Sequence, residues 1–213
     1  MSNRTIPVDT AAICIIRETA LGPVIGTGFT FLRPDWVVTA KHVALAEGRP
    51  RRDLVLSFTG TPPVAASVVA AHPVWDLAVL QMQPPRPAHP PLLPMYEHVT
   101  GTTGLISIVF APSRTDQNTG AHAFSTNHIP AYERAERTSG GGTEQTILFE
   151  APYLAGGYSG SPLFAAGGGV VGVLTEGFTR GETQFARATS IHPLLAGLDF
   201  RPDWHLASPS DER

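Results

Sequence analysis

The chain has 213 residues, enough to bury a substantial core as one large domain or two small ones. Charged residues make up 15% and the formal net charge is −3, so the sequence lacks the clustered basic footprint of a DNA- or RNA-binding protein. With 21 glycines and 20 prolines against so few charges, short strands and tight turns are favoured over long solvated helices.

In chain order, the opening "MSNRTIPVDTAAICIIRETALG" holds no apolar stretch long enough for a signal peptide, and no later run could span a membrane. The chain therefore reads as soluble and cytoplasmic, with neither membrane nor nucleic acid as a partner. Six short apolar segments follow: Ala11–Arg17, Val24–Leu32, Trp36–Thr39, Leu54–Phe58, Val64–Ala71 and Leu77–Met82. They are rich in Val, Ile and Phe and are separated by turn material such as "LGP", "RPD" and "TGTPP", which predicts a first β-barrel over residues 1–83. Cys14, the single cysteine, can form no internal disulfide and reads as a small buried core residue. Arg49, Arg51 and Arg52 form the one basic cluster, read as a solvated loop, and Lys41 is the only lysine.

"PPRPAHPPLLP", residues 84–94, lacks the backbone donors a sheet interior needs and reads as a linker. A second strand series is predicted at Leu105–Phe110, Ala121–Ile129, Thr146–Glu150, Pro162–Phe164, Val170–Thr175 and Gln184–Ala188, within a second barrel over residues 95–200. "SGGGT" at 139–143 reads as a flexible loop, "SIHPLLAGLDF" as one short C-terminal helix, and 201–213 as a polar tail. The expected fold is all-β: two six-stranded antiparallel β-barrels packed together, with a cleft between them.

"AGGYSGSPLF", Ala155–Phe164, sets Ser159 among glycines. Gly, Ser and Pro are ordinary turn residues, so the serine gains meaning only from partners elsewhere. A serine hydroxyl is a weak nucleophile unless a base, normally histidine, takes its proton and a carboxylate holds that imidazole in the useful tautomer. His42 in "WVVTAKHVA" and Asp76 in "HPVWDLAVLQM" are the candidates. Both lie in the first module and Ser159 in the second, so the three would meet across the cleft.

"GTGFTF…VVTAKHV", "DLAVLQM", "GGYSGSPLF", "VVGVLTEG" and "FARATSIHPLL", taken together, resemble the successive motifs of chymotrypsin-fold serine proteases, especially bacterial HtrA/Deg-type and related trypsin-like peptidases. The resemblance runs from Ala11 to Leu195 and keeps the chain order His, Asp, Ser. It implies a bacterial serine endopeptidase with Ser159 as nucleophile, His42 as general base and then acid, and Asp76 orienting the imidazole. The Gly157 and Ser159 N–H groups would form the oxyanion hole, and glycine at 157 lets the backbone turn there without a side chain in the way. Thr175 matches the family's small hydroxyl residue beside the catalytic aspartate, and Thr175 to Gly177 would offer a strand edge to the substrate backbone.

Departures from that pattern carry information too. Tyr158 stands where the secreted digestive enzymes have an aspartate that pairs with a new N-terminus after propeptide cleavage, so activation by that route is not expected. "SGSP" is similar to the glutamyl endopeptidase branch, but Leu174 occupies the place of that branch's histidine. The resemblance, counted back from the serine without gaps, would put Tyr153 near the base of the primary specificity pocket, with Leu174, Thr175, Glu176 and Gly177 completing the implied substrate-binding set. With no acid at the pocket base, apolar or small residues are expected before the cut bond. No PDZ-like segment follows.

Two rival readings remain. Ser159 with Asp199 and His205 gives the α/β-hydrolase order, but Ser161 replaces the second glycine of that motif and the helices of that fold are missing. A catalytically inactive protease fold used for binding is the other. The other histidines, His122 and His128 included, show no metal-ligand spacing, so no metal or organic cofactor is expected. The expected partners are a protein or peptide substrate and an activating or sensor protein, since a cytoplasmic protease needs restraint.

Overall fold

The computed structural model describes residues 9–84, 90–94, 105–115, 122–129, 133–139, 142–151, 156–164 and 169–191, with the backbone alone for those between 105 and 145. Chain order gives a short 3-10 turn (Thr10–Ala12), β1 (Ile13–Arg17), β2 (Val24–Phe31), β3 (Arg33–Thr39), the single turn α1 (Lys41–Ala44), β4 (Leu45–Ala46), β5 (Arg49–Pro50), β6 (Leu54–Phe58), β7 (Val64–Ala71) and β8 (Ala78–Met82). Then follow β9 (Leu105–Thr115), β10 (His122–Ile129), β11 (Glu133–Ser139), β12 (Gly142–Glu150), β13 (Pro162–Phe164), β14 (Val170–Arg180) and β15 (Thr183–Ser190).

Six strands close the first barrel in the order β1-β2-β3-β8-β7-β6, and β4 with β5 forms a small separate hairpin. The side-chain period of two divides the apolar residues of these strands between two cores. Cys14, Ile16, Val37, Leu54, Leu56, Val64, Leu80 and Met82 belong to one cluster. Their sequence neighbours Ile13, Val38 and Val79 join Phe29, Phe31 and Leu77 in another, which also takes in Phe164, Val170, Val173 and Ile191 of the second module. Burial on both faces is why these strands read as near-continuous apolar runs. Cys14 is fully buried, and burial pushes its thiol up from the ordinary range.

The second module is an antiparallel sheet in the order β10-β9-β13-β14-β15-β12-β11. Among the described residues it has seven strands where six are expected, and the additional one is β11, "ERAERTS". Of the stretch 139–143, expected as a flexible loop, Ser139 pairs with Gly142 and Thr143 with Thr138, so these residues belong to β11 and β12, while 140 and 141 lie outside the described residues. A strand, β13, follows Ser159 where an α/β-hydrolase would need a helix. Asp199 and His205, the expected C-terminal helix beyond Ile191, and the polar tail lie outside the described residues.

Residues 90–94 of the proline-rich segment do more than span a gap. Pro91 accepts a hydrogen bond from the Thr30 hydroxyl, and the Pro94 carbonyl accepts the Val170 N–H at 2.8 Å. Between these two ties Leu93 is buried in the cluster shared by both modules. Truncation there removes contacts from both sides at once, so Leu93→Ala is expected to lower the unfolding free energy by about 2–5 kcal/mol, measured by urea denaturation of the full chain; a loss under ~1 kcal/mol would show that this strap adds little to the joint.

Candidate active site

His42 sits in α1 directly after β3, and Asp76 in the turn between β7 and β8. β3 and β8 pair antiparallel with Thr39 opposite Ala78. The residue three past Thr39 and the residue two before Ala78 therefore leave the barrel at the same end. α1 has no side-chain cap from Ala40, so its first N–H groups need outside acceptors. The Asp76 carboxylate supplies one: Oδ1 accepts the His42 N–H at 2.9 Å, while Oδ2 lies 2.7 Å from His42 Nδ1. An ionised carboxylate can only accept, so Nδ1 carries the ring proton and Nε2 presents its lone pair.

The Asp76 turn is itself pinned by residues that the sequence does not single out as site residues. His72 Nδ1 accepts the N–H groups of Val74 and Trp75 at 3.2 and 2.9 Å, and its ring stacks on Trp75 at 4.3 Å. Lys41 Nζ donates to the His72 and Pro73 carbonyls at 3.0 and 3.3 Å. The available signal was that the chain's only lysine stands immediately before His42.

Ser159 is carried by the short segment before β13, between Gly157 (φ 92°) and Gly160 (φ 91°), both in the left-handed region that favours glycine. The segment lies directly on the first barrel. The Ser159 carbonyl accepts the Thr27 N–H at 2.8 Å, and the Thr27 hydroxyl donates to the Gly157 carbonyl at 2.8 Å. A Cβ on Gly160 would stand 1.8 Å from the Thr27 carbonyl oxygen. One on Gly26 would stand 2.5 Å from Val43 Cγ1 and 3.0 Å from the Ser159 carbonyl oxygen, so the serine's backbone and the residue after His42 converge on the same glycine. Among the described residues no hydrogen bond joins Ser159 Oγ to His42, and neither the Gly157 nor the Ser159 N–H has an acceptor.

On the other side, the Gly160 N–H donates to the Leu174 carbonyl at 2.6 Å, which ties the serine segment to β14. β14 pairs with β13 only as far as Val173, and beyond Leu174 only β15 pairs with it among the described strands. Thr175, Glu176 and Gly177 thus lie on a strand edge beside the serine segment. The Thr175 hydroxyl donates to the Arg187 carbonyl at 3.2 Å, and Glu176 is exposed and ion-paired with Arg187. Tyr153 lies outside the described residues.

The electrostatics join the two modules. The Asp76 hydrogen bond is the main cause holding His42 above the ordinary imidazole value; burial opposes it, and the charges of Asp76 and Glu176 add to the rise. Because the folded value is raised, the stabilisation from protonated His42 is complete below the unfolded value near 6.5 and is lost as pH rises through the folded value. By NMR titration His42 is expected to ionise above about 6.5, to fall most in Asp76→Asn and less in Glu176→Gln. Equal shifts in the two variants would contradict the ordering of these causes.

A sequence model described as a trypsin-like peptidase domain matches residues 26–173. Among solved structures, the active form of the Rv3671c protease from M. tuberculosis is 26% identical at a TM-score of 0.65, over 88% of this chain and 81% of that one. The MamO protease domain from Magnetospirillum magneticum, in its apo form, is 17% identical at 0.66, over 89% and 96% of the two chains. The HtrA-type protease AlgW, solved with a tripeptide, is also 17% identical at 0.66, over 89% of this chain and 60% of its own. No curated protein sequence matches the chain.

Proposed function

The chain belongs to the trypsin-like peptidase domain family and is a trypsin-like serine protease, and on that premise we propose that it is an endopeptidase in which His42, Asp76 and Ser159 form the catalytic triad. The observation that carries this reading is the double hold of Asp76 on His42, on the same barrel that receives the backbone of Ser159. In the proposed reaction Nε2 of His42 takes the proton of Ser159 Oγ as Oγ bonds to the scissile carbonyl carbon. The carbonyl oxygen gains the negative charge and is met by the Gly157 and Ser159 N–H groups. Collapse expels the amine, which receives its proton from His42, and water then hydrolyses the ester by the same route.

The substrate would lie extended along Thr175–Gly177, as a strand added to an open edge. That AlgW has been solved with a tripeptide and with a decapeptide supports a peptide or protein as ligand. The tyrosine at 153, where an acid would select Lys or Arg, supports a preference for apolar or small residues before the cut bond. A second reading is a latent module switched on by an activating partner, supported by the two successive glycines, Gly156 and Gly157, which leave the backbone ahead of the serine free to adopt more than one conformation.

Intact-mass analysis after treatment with a fluorophosphonate tests both. The triad reading expects one adduct on the native chain, none on Ser159→Ala, and labelling slowed by about 10³-fold or more in His42→Ala. An adduct that persists in Ser159→Ala would remove Ser159 as nucleophile, whereas an unlabelled native chain would favour the latent module.

A further inference from the structure

The serine segment contains two successive glycines, Gly156 and Gly157, so its peptide planes are the least restrained in the site. Two of those planes matter for the reaction: the one carrying the Gly157 N–H and the one carrying the Ser159 N–H. Between them lies the plane that carries the Gly157 carbonyl. Its orientation fixes ψ of Gly157 and φ of Tyr158, and through them the aim of both neighbouring N–H groups.

Among the described residues, one side chain bonds the backbone of this segment: the fully buried Thr27 hydroxyl, at 2.8 Å from the Gly157 oxygen. Thr27 is held in turn. Its carbonyl accepts the hydroxyl of buried Thr39 at 2.7 Å, and its N–H donates to the Ser159 carbonyl at 2.8 Å. Thr39 is the last residue of β3, three before His42. A continuous chain of hydrogen bonds therefore runs from the strand that presents the base to the plane between the two oxyanion donors. The bond from the Thr27 N–H could be made by almost any residue at that position, whereas the bond to Gly157 needs a hydroxyl.

We infer that Thr27 is a positioning residue for the oxyanion hole, acting through the Gly157 carbonyl it holds. The inference rests on the protease reading above and deepens it. Oxyanion donors act by being aimed before charge develops, so a misaimed pair lowers the rate of acylation more than it weakens ground-state binding.

The test compares Thr27→Val, which keeps the shape and loses the hydroxyl, with Thr27→Ser, which keeps the hydroxyl. Each full chain is assayed for hydrolysis of a p-nitrophenyl ester and for inhibition by a boronic acid, which forms a tetrahedral adduct with the serine. Thr27→Val is expected to lose about 10–100-fold in kcat with KM changed less than ~3-fold, and to bind the boronic acid correspondingly more weakly; Thr27→Ser is expected within ~3-fold of native. A purely structural role would lower the melting temperature without this split between kcat and KM. Valine activity within twofold of native, or serine falling as far as valine, would overturn the inference. A crystal structure of Thr27→Val supplies an arm that needs no activity: the Gly157 carbonyl should rotate away from β2, and finding it unmoved would equally refute the role. A native chain inert to ester and fluorophosphonate, with the carbonyl still rotated in Thr27→Val, would count against the protease reading while showing that Thr27 does set the Gly157 carbonyl.

Discussion

The contact between Gly160 and Thr27 is the constraint on which the rest of the site depends. The base and its carboxylate stand on one module and the serine on another, so the reactive geometry is only as good as the joint between them. At that joint two backbones approach so closely that a Cβ would lie 1.8 Å from a carbonyl oxygen and 2.3 Å from the Thr39 hydroxyl. No rotamer change relieves such a clash, because the Cβ position is set by the backbone. The absence of a side chain at 160, together with its φ of 91°, lets the serine segment lie flat on β2. Once it does, the Thr27 N–H and hydroxyl are both in register with it.

Within the first module the pairing of Thr39 with Ala78 does the corresponding work. It brings an uncapped helical turn and a carboxylate to the same rim, and one side chain then meets two needs: it satisfies an orphan N–H and fixes the ring tautomer. The imidazole remains about half exposed, so its raised basicity comes from the Asp76 hydrogen bond rather than from isolation. Glu176 adds to that basicity from the second module. The same strand edge that would receive a peptide thus also carries a charge that acts on the base.

The first barrel was almost fully legible in the sequence because its strands are buried on both faces, and double burial writes an uninterrupted apolar run. The second module was less so. β11, "ERAERTS", mixes charged and small residues without an apolar face and is followed in the sequence by glycines, so local composition resembled a loop although its pairing with β12 makes it a strand. Backbone pairing leaves no mark in such a segment. The site divides in the same way. His42, Asp76 and Ser159 stand out because their chemistry demands particular side chains in particular contexts. Lys41, His72 and Thr27 act on backbone carbonyls and N–H groups, which every residue possesses, so their partners cannot be read from residue types.

Tyr158 shows how the serine segment is held from its other side. A carboxylate in that place would need a cationic partner before it could be buried. The tyrosine is instead 8% exposed and belongs to the apolar cluster with Ile147, Phe149, Leu163, Val171 and Leu174. Desolvation raises its phenol above the ordinary value, so the ring stays neutral and its apolar body contributes about 1.5–3 kcal/mol of burial. That anchoring is available as soon as the second module folds and requires no newly generated amine. Held on one side by an aromatic ring and on the other by the Thr27 hydroxyl, the peptide planes between Gly157 and Ser159 have their ends fixed by two physically different interactions: one is non-directional and sets depth, the other is directional and sets aim.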